Sequence, residues 1–121
     1  MKPFKGVTGP KFLLGAILKE RHKVIEEFQF CPGRKFRADF FIERLNLLVE
    51  YEGIAAGADN GRAYTGASRH TSITGYSKDC EKYNIAQLLG FRLLRCTALN
   101  YMQARADLRR LEDDLKIGGT K

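Results

Sequence analysis

Apolar residues crowd the segment Phe12, Leu13, Leu14, Ala16, Ile17 and Leu18 just after Pro10. Proline suits the first turn of a helix, so the pattern predicts a helix from Pro10 to about His22. Val24 to Phe30 carries Val, Ile and two Phe and ends at Cys31-Pro32-Gly33, a turn signal that closes a first strand. From Phe36 to Ile42 the even positions read Phe, Ala, Phe, Ile and the odd ones Arg, Asp, Phe. That period of two predicts a strand with one buried face. Leu47 to Glu52 alternates likewise, and only Glu43-Arg44-Leu45-Asn46 lie between, a hairpin length. A hairpin symmetric about the Arg44-Leu45 junction sets Ile42 opposite Leu47 and Asp39 opposite Glu50.

Residues 53–76 are rich in Gly, Ala, Ser and Thr, and a loop of that length is expected to be functional. Ser77 is a candidate cap for a helix with Asp79 and Glu81 in its first turn and a stop at Gly90. Phe91 to Cys96 reads as a fourth strand. A last helix, Ala98 to Lys116, carries Tyr101, Ala104, Leu108, Leu111 and Leu115 on one face. That stripe suits either the chain's own sheet or a second copy, the latter giving a homodimer. The order is helix, three strands, helix, strand, helix, an α/β chain without internal repeat.

Hydrophobic residues at 44% and charged residues at 29% over 121 positions suit one globular domain, 1–121. No run approaches the roughly 20 apolar residues of a membrane span, and the N-terminus lacks a signal-peptide core, so a cytoplasmic protein is expected. Cys31, Cys80 and Cys96 form no C-x-x-C pair and are expected as reduced, partly buried thiols; with only His22 and His70 beside them, zinc has too few ligands. The net charge of +7 is uneven. Residues 1–37 hold nine Lys/Arg against three acids, whereas residues 38–97 hold seven of each sign. Such a field favours phosphate backbones without proving them as partners.

The hairpin supplies the candidate chemistry. Asp39 and Glu50 opposed across two strands, with Glu52 two residues on, would put three like charges in one patch, which destabilises a sheet unless a cation sits among them. Oxygen donors without sulfur or clustered imidazole select Mg²⁺ or Mn²⁺. Such an ion lowers the pKa of bound water and stabilises charge on a phosphodiester. The plain alternative is that these acids are solvated strand residues.

Arg37-Ala38-Asp39 followed by Glu50-Tyr51-Glu52-Gly53 resembles the PD-(D/E)XK, or restriction-endonuclease-like, nuclease superfamily. The fragments Phe30 to Phe40, Val49 to Gly53, Arg69-His70, Asp79 to Asn84 and Gly90 to Arg95 are similar to small phage and prophage nucleases related to very-short-patch-repair-like endonucleases, over about residues 27–97. The resemblance implies an αβββαβ core with a mixed central sheet, an added C-terminal helix, and metal-dependent hydrolysis of DNA. Asp39 and Glu50 would hold metal. Glu52 stands where the superfamily usually has lysine and would bind metal or act as general base, with Lys82, His70 or a second metal supplying the missing positive charge. Many relatives place an acid near Lys11, where this chain has none; Glu27 is a candidate substitute or a solvated edge residue. His70 is a candidate proton shuttle or phosphate contact. Arg34, Lys35, Arg37, Arg62, Arg69 and Lys78 are candidate phosphate contacts, and His22 is read as surface. A junction-resolving nuclease, a non-cleaving DNA-binding module on the same fold, and a protein-interaction subunit presenting the last helix are the rivals.

Overall fold

A computed structural model describes residues 9–53 and 73–116. Helix α1 spans Pro10–Leu18, with proline in its first turn. Strands β1 (Ile25–Phe28), β2 (Ala38–Ile42) and β3 (Leu47–Tyr51) follow, then α2 (Ile73–Leu88), β4 (Arg92–Cys96) and α3 (Ala104–Leu115). The four strands form one sheet in the order β1-β2-β3-β4. The first three are antiparallel, and β4 runs parallel to β3. The chain is therefore α/β with a mixed sheet. No described helix is long and apolar enough to cross a membrane.

Alternation along the strands divides the core. Phe40, Ile42, Leu47 and Val49 pack with Leu14, Ile17 and Leu18 of α1 and with Ala104 and Leu108 of α3. Phe41 and Leu48 pack with Phe30, Ala38 and Ala86, the last from α2. Helices α1 and α3 thus cover one face of the sheet and α2 the other. Gly15 allows the close approach of α1, since a Cβ there would meet the Phe40 ring at 3.1 Å. The face carrying α2 holds an aromatic cluster: Phe28 stacks on Phe41 at 4.2 Å, and Phe91 meets Phe28, Phe30 and Phe41 edge-on.

The hairpin has the expected register, Ile42 opposite Leu47. A single 3₁₀ turn, Glu43–Leu45, closes it, and Asn46 takes the left-handed conformation at φ 52°, which asparagine tolerates better than most residues. Several boundaries differ from the sequence expectation. Helix α2 is already formed at Ile73, so Ser77 is inside it and is not its cap, and Asp79 and Glu81 are not in its first turn. Residues 73–76, Ile-Thr-Gly-Tyr, are thus helical and not part of a loop; residues 54–72 of the predicted loop lie outside the described residues. Helix α1 stops at Leu18 rather than His22. The last helix starts at Ala104, because the Asn100 side chain takes the N–H of Thr97 at 2.7 Å and a 3₁₀ turn at Tyr101–Gln103 follows.

His22 is not a surface residue. It is buried, and its Nε2 donates to Glu112 of α3 at 2.6 Å. Arg21 grips the same carboxylate through Nε and Nη2 at 2.9–3.2 Å. These contacts fasten the segment just after α1 to α3. The apolar stripe of α3 serves the chain's own core: Ala104 and Leu108 are buried, with Tyr101, Leu111 and Leu115 packed beside them. Of the two uses expected for the stripe, the packing of the chain's own core is the one seen. Of the cysteines, Cys96 is buried and Cys31 half-buried, but Cys80 is exposed; all three are free thiols.

Glu112 is 2% exposed. Burial alone would push its carboxyl upward, but Arg21 and His22 outweigh this and hold it below the usual glutamate value. A lowered folded pKa stabilises the fold at pH above about 4.5 and loses that contribution as pH falls through the folded value. Glu112→Ala is expected to lower unfolding free energy at pH 7 by about 1.5–3 kcal/mol, the range for hydrogen bonds to charged groups. Urea unfolding at pH 7 measures it; an unchanged midpoint would show that the clamp contributes nothing net.

Candidate functional site

The acids predicted from the sequence lie at the end of the sheet opposite the hairpin. Asp39 is near the start of β2, Glu50 near the end of β3, and Glu52 just beyond it. Ladder pairing of β2 with β3 runs from Ile42↔Leu47 to Phe40↔Val49. One step further, the Asp39 carboxylate intervenes, and its Oδ2 accepts the backbone N–H of Tyr51 at 2.7 Å. Asp39 is thereby anchored to β3 by its side chain.

Each acid has its own cation. Lys11 of α1 places Nζ 3.1 Å from Asp39 Oδ1 and 3.6 Å from Glu27 Oε2. Lys82 of α2 places Nζ 3.0 Å from Glu50 Oε2. Glu52 Oε2 accepts from Arg95 Nε of β4 at 2.8 Å and from the Tyr83 hydroxyl of α2 at 3.0 Å. Asp39 and Glu50 therefore draw their counter-charges from opposite helical layers. The three acids expected in one patch are neighbours, and each is joined by a cation that spacing along the strands does not indicate. Among the described residues, no three His, Cys, Asp or Glu side chains converge as a ready metal-holding group.

Glu50 is the most enclosed of the three, at 7% exposure. Its carboxyl is pushed up to about 7: burial is the largest cause, the charges of Asp39 and Glu52 add to it, and Lys82 offsets only part. The lysine lies within ion-pair distance, yet Glu50 Oε2 accepts no aligned hydrogen bond from the described residues. Lys11 is also raised, but by its partners and not by burial. Burial alone would lower its pKa, but Asp39 and Glu27 together raise it. The Tyr83 hydroxyl is raised, first by burial and then by Glu52 and Glu50, so it stays a donor. The Arg95 guanidinium carbon lies over the Tyr83 ring, 4.1 Å from its centre, which couples both partners of Glu52.

Lys11, Tyr83 and Arg95 belong to the site without having been singled out as its members. Only Arg95 had a usable signal, because the parallel register that pairs β3 with β4 sets it opposite Glu50. Glu27 is drawn toward the site by Lys11 and has a left-handed backbone, φ 50°. For a glutamate in a strand this is strained, and such strain concentrates at functional positions. Lys82 lies beside Glu50. Arg34 is held by Glu81 at 3.0 Å and covers the Phe36 ring. Lys35, Arg37 and Lys78 are exposed, as phosphate contacts require. His70, Arg62 and Arg69 lie outside the described residues. Between α1 and the sheet, a cavity of about 560 Å³ is walled by Lys11, Phe12, Gly15, Phe40 and Tyr51, bringing apolar surface up to the acids.

A carboxyl with a raised folded pKa holds its proton more tightly in the folded chain, so the fold is favoured at low pH. For Glu50, stability is expected to fall as pH rises from 4.5 through about 7. The loss corresponds to about 3 kcal/mol at most. Urea unfolding in EDTA at stepped pH should show this decline in the wild type and a flattened profile in Glu50→Gln. An equal decline in both chains would place the titrating group elsewhere.

No protein family, no curated protein and no solved structure matches this chain.

Proposed function

We propose that the chain is a metal-dependent endonuclease that hydrolyses phosphodiester bonds in DNA, with Asp39 and Glu50 holding Mg²⁺ or Mn²⁺. The observation that carries this reading is the pairing of two carboxylates on adjacent central strands with lysine ammonium groups at 3.0–3.1 Å, one carboxylate being buried with an oxygen lacking an aligned hydrogen bond. Burying acids that repel one another in a sheet is costly, and a protein selected only for stability has no use for it. The donor set is all oxygen and fits a hard divalent cation, which when bound would supply Lewis acidity toward water and phosphate. The element order and mixed sheet are compatible with the restriction-endonuclease-like core that the sequence resembles.

The chain's own residues then divide the work. Asp39 is held in place by the Tyr51 N–H. Glu52, where lysine would be usual, is oriented by Arg95 and Tyr83 and receives a proton from the attacking water as general base. Lys82 supplies the positive charge that Glu52 cannot, at the developing charge on phosphate. Lys35, Arg37 and Lys78 hold the DNA backbone from exposed positions. A two-fold pair of chains would be needed to cut both strands of a duplex or junction, and its interface would lie away from the stripe of α3.

One observation favours a second reading. The three ion pairs leave little net negative charge at the acids, so a DNA-binding module that does not cleave is also served by this surface. Cleavage separates the two. Duplex, single-stranded, flap and four-way-junction DNA incubated with Mg²⁺ should yield hydrolysed product from at least one substrate. Asp39→Asn and Glu50→Gln should each lower the rate by about a hundredfold or more while circular dichroism and DNA affinity are kept. DNA binding with no cleavage of any substrate would establish the module instead. In parallel, Mg²⁺ or Mn²⁺ should raise the melting temperature of the wild type and have little effect on Glu50→Gln; equal shifts would remove Glu50 from the metal site.

A further inference from the structure

At the hairpin end of the sheet, remote from the acids, a second cavity of about 410 Å³ is walled by Arg21, His22, Lys23, Ile25, Glu43 and Arg44. Three of these six residues are permanent cations, and Glu43 is the one acid in the wall. Lys23 and Arg44 are exposed and have no ion pair among the described residues. Arg21 is fixed, because Glu112 takes its Nε and Nη2 and leaves Nη1 uncommitted. Glu112 is spent on Arg21 and His22, although Asp113 also lends Arg21 some negative field. The His22 side chain is 1% exposed, and with Nε2 on Glu112 its Nδ1 is a buried polar atom with no partner. Such an atom costs free energy unless a polar group meets it, and it is uncommon in a well-packed wall.

We propose that this cavity is a phosphate-binding site, independent of the acids at the other end of the sheet. Arginine forks match phosphate geometry, and lysine adds a mobile point charge. A fork clamped in advance by a buried carboxylate loses little freedom on binding. The volume lies in the range of small-ligand pockets and exceeds what a bare phosphate fills, so the phosphate is carried on a larger group or followed by more chain. The exposed apolar edge of Ile25 offers that remainder a surface. The same chemistry is presented by a free phosphate compound and by a nucleic-acid backbone.

The test is an NMR titration of the full chain, following the His22 ring and the arginine side-chain signals, with inorganic phosphate, with a nucleoside monophosphate and with a short DNA duplex, each against chloride at equal ionic strength. Lys23→Ala/Arg44→Ala removes two exposed side chains and should fold as the wild type by circular dichroism. Saturable shifts at His22 and Arg21 with phosphate or the nucleotide, weakened about tenfold or more in the double variant, would support a site for free phosphate compounds. The same shifts with DNA alone would support a backbone contact. Shifts no larger than those caused by chloride, or equal affinity in the double variant, would overturn the proposal. None of these outcomes depends on cleavage.

Discussion

The arrangement turns on a carboxylate in the most enclosed strand. β3 has a neighbour on each edge and a helical layer on each face, and Leu47, Leu48 and Val49 are almost fully buried along it. Glu50 continues that run without leaving the interior. Everything around it compensates: Lys82 comes from α2, Asp39 is drawn off toward Lys11, and Glu52 is occupied by Arg95 and Tyr83. Compensation is incomplete, because the like charges of Asp39 and Glu52 act on Glu50 along with burial. A site of this kind is held together by the remainder of the fold and does not itself contribute net stability.

The stabilising counterpart lies elsewhere. The two layers built on α1 and α3 are joined by apolar packing and by the buried Glu112 carboxylate, whose two partners come from the segment just after α1. On the other face the phenylalanine cluster and Ala86 seat α2. Lys11 and Lys82 reach the acids from helices that are fixed independently of the acids. Their positions are thus set by hydrophobic burial, the larger energy, while the ion pairs only adjust to it.

Periodicity in the sequence places the second and third strands and their hairpin register, and residue type with turn signals places the first; a one-residue slip would swap the side chains meant for the α1/α3 layer with those meant for the α2 layer. The three helices are also legible, but their ends are not. Ser77 has the composition of a cap, yet helix is already present four residues earlier; composition is a weak guide where tertiary packing decides. His22 illustrates a second limit: its burial depends on Glu112, 90 positions away, and no local pattern reports that. At the candidate site, Asp39, Glu50 and Glu52 stand out by residue type and spacing, and Lys82 only through the resemblance. Lys11 does not, because a lysine in the first turn of a helix looks like any solvated charge until the sheet is laid beneath it. The cations beside the three acids are hidden for the same reason, since spacing along strands says nothing about side chains arriving from other elements.

Asn46 does more than turn the hairpin. Its side chain donates to the carbonyl of Gly90, its own carbonyl accepts the N–H of Arg92, and the Arg92 guanidinium returns to the carbonyl of Leu45. The turn between β2 and β3 is therefore also the socket into which β4 is seated. Hairpin tips are ordinarily where families of proteins vary in length, since a loop there touches little else. Here that freedom is withdrawn: one added residue would disturb the seat of β4, and through its register the placement of Arg95 at the opposite end. A change of length is therefore better tolerated in segments whose ends are not stitched to a third strand than at this tip.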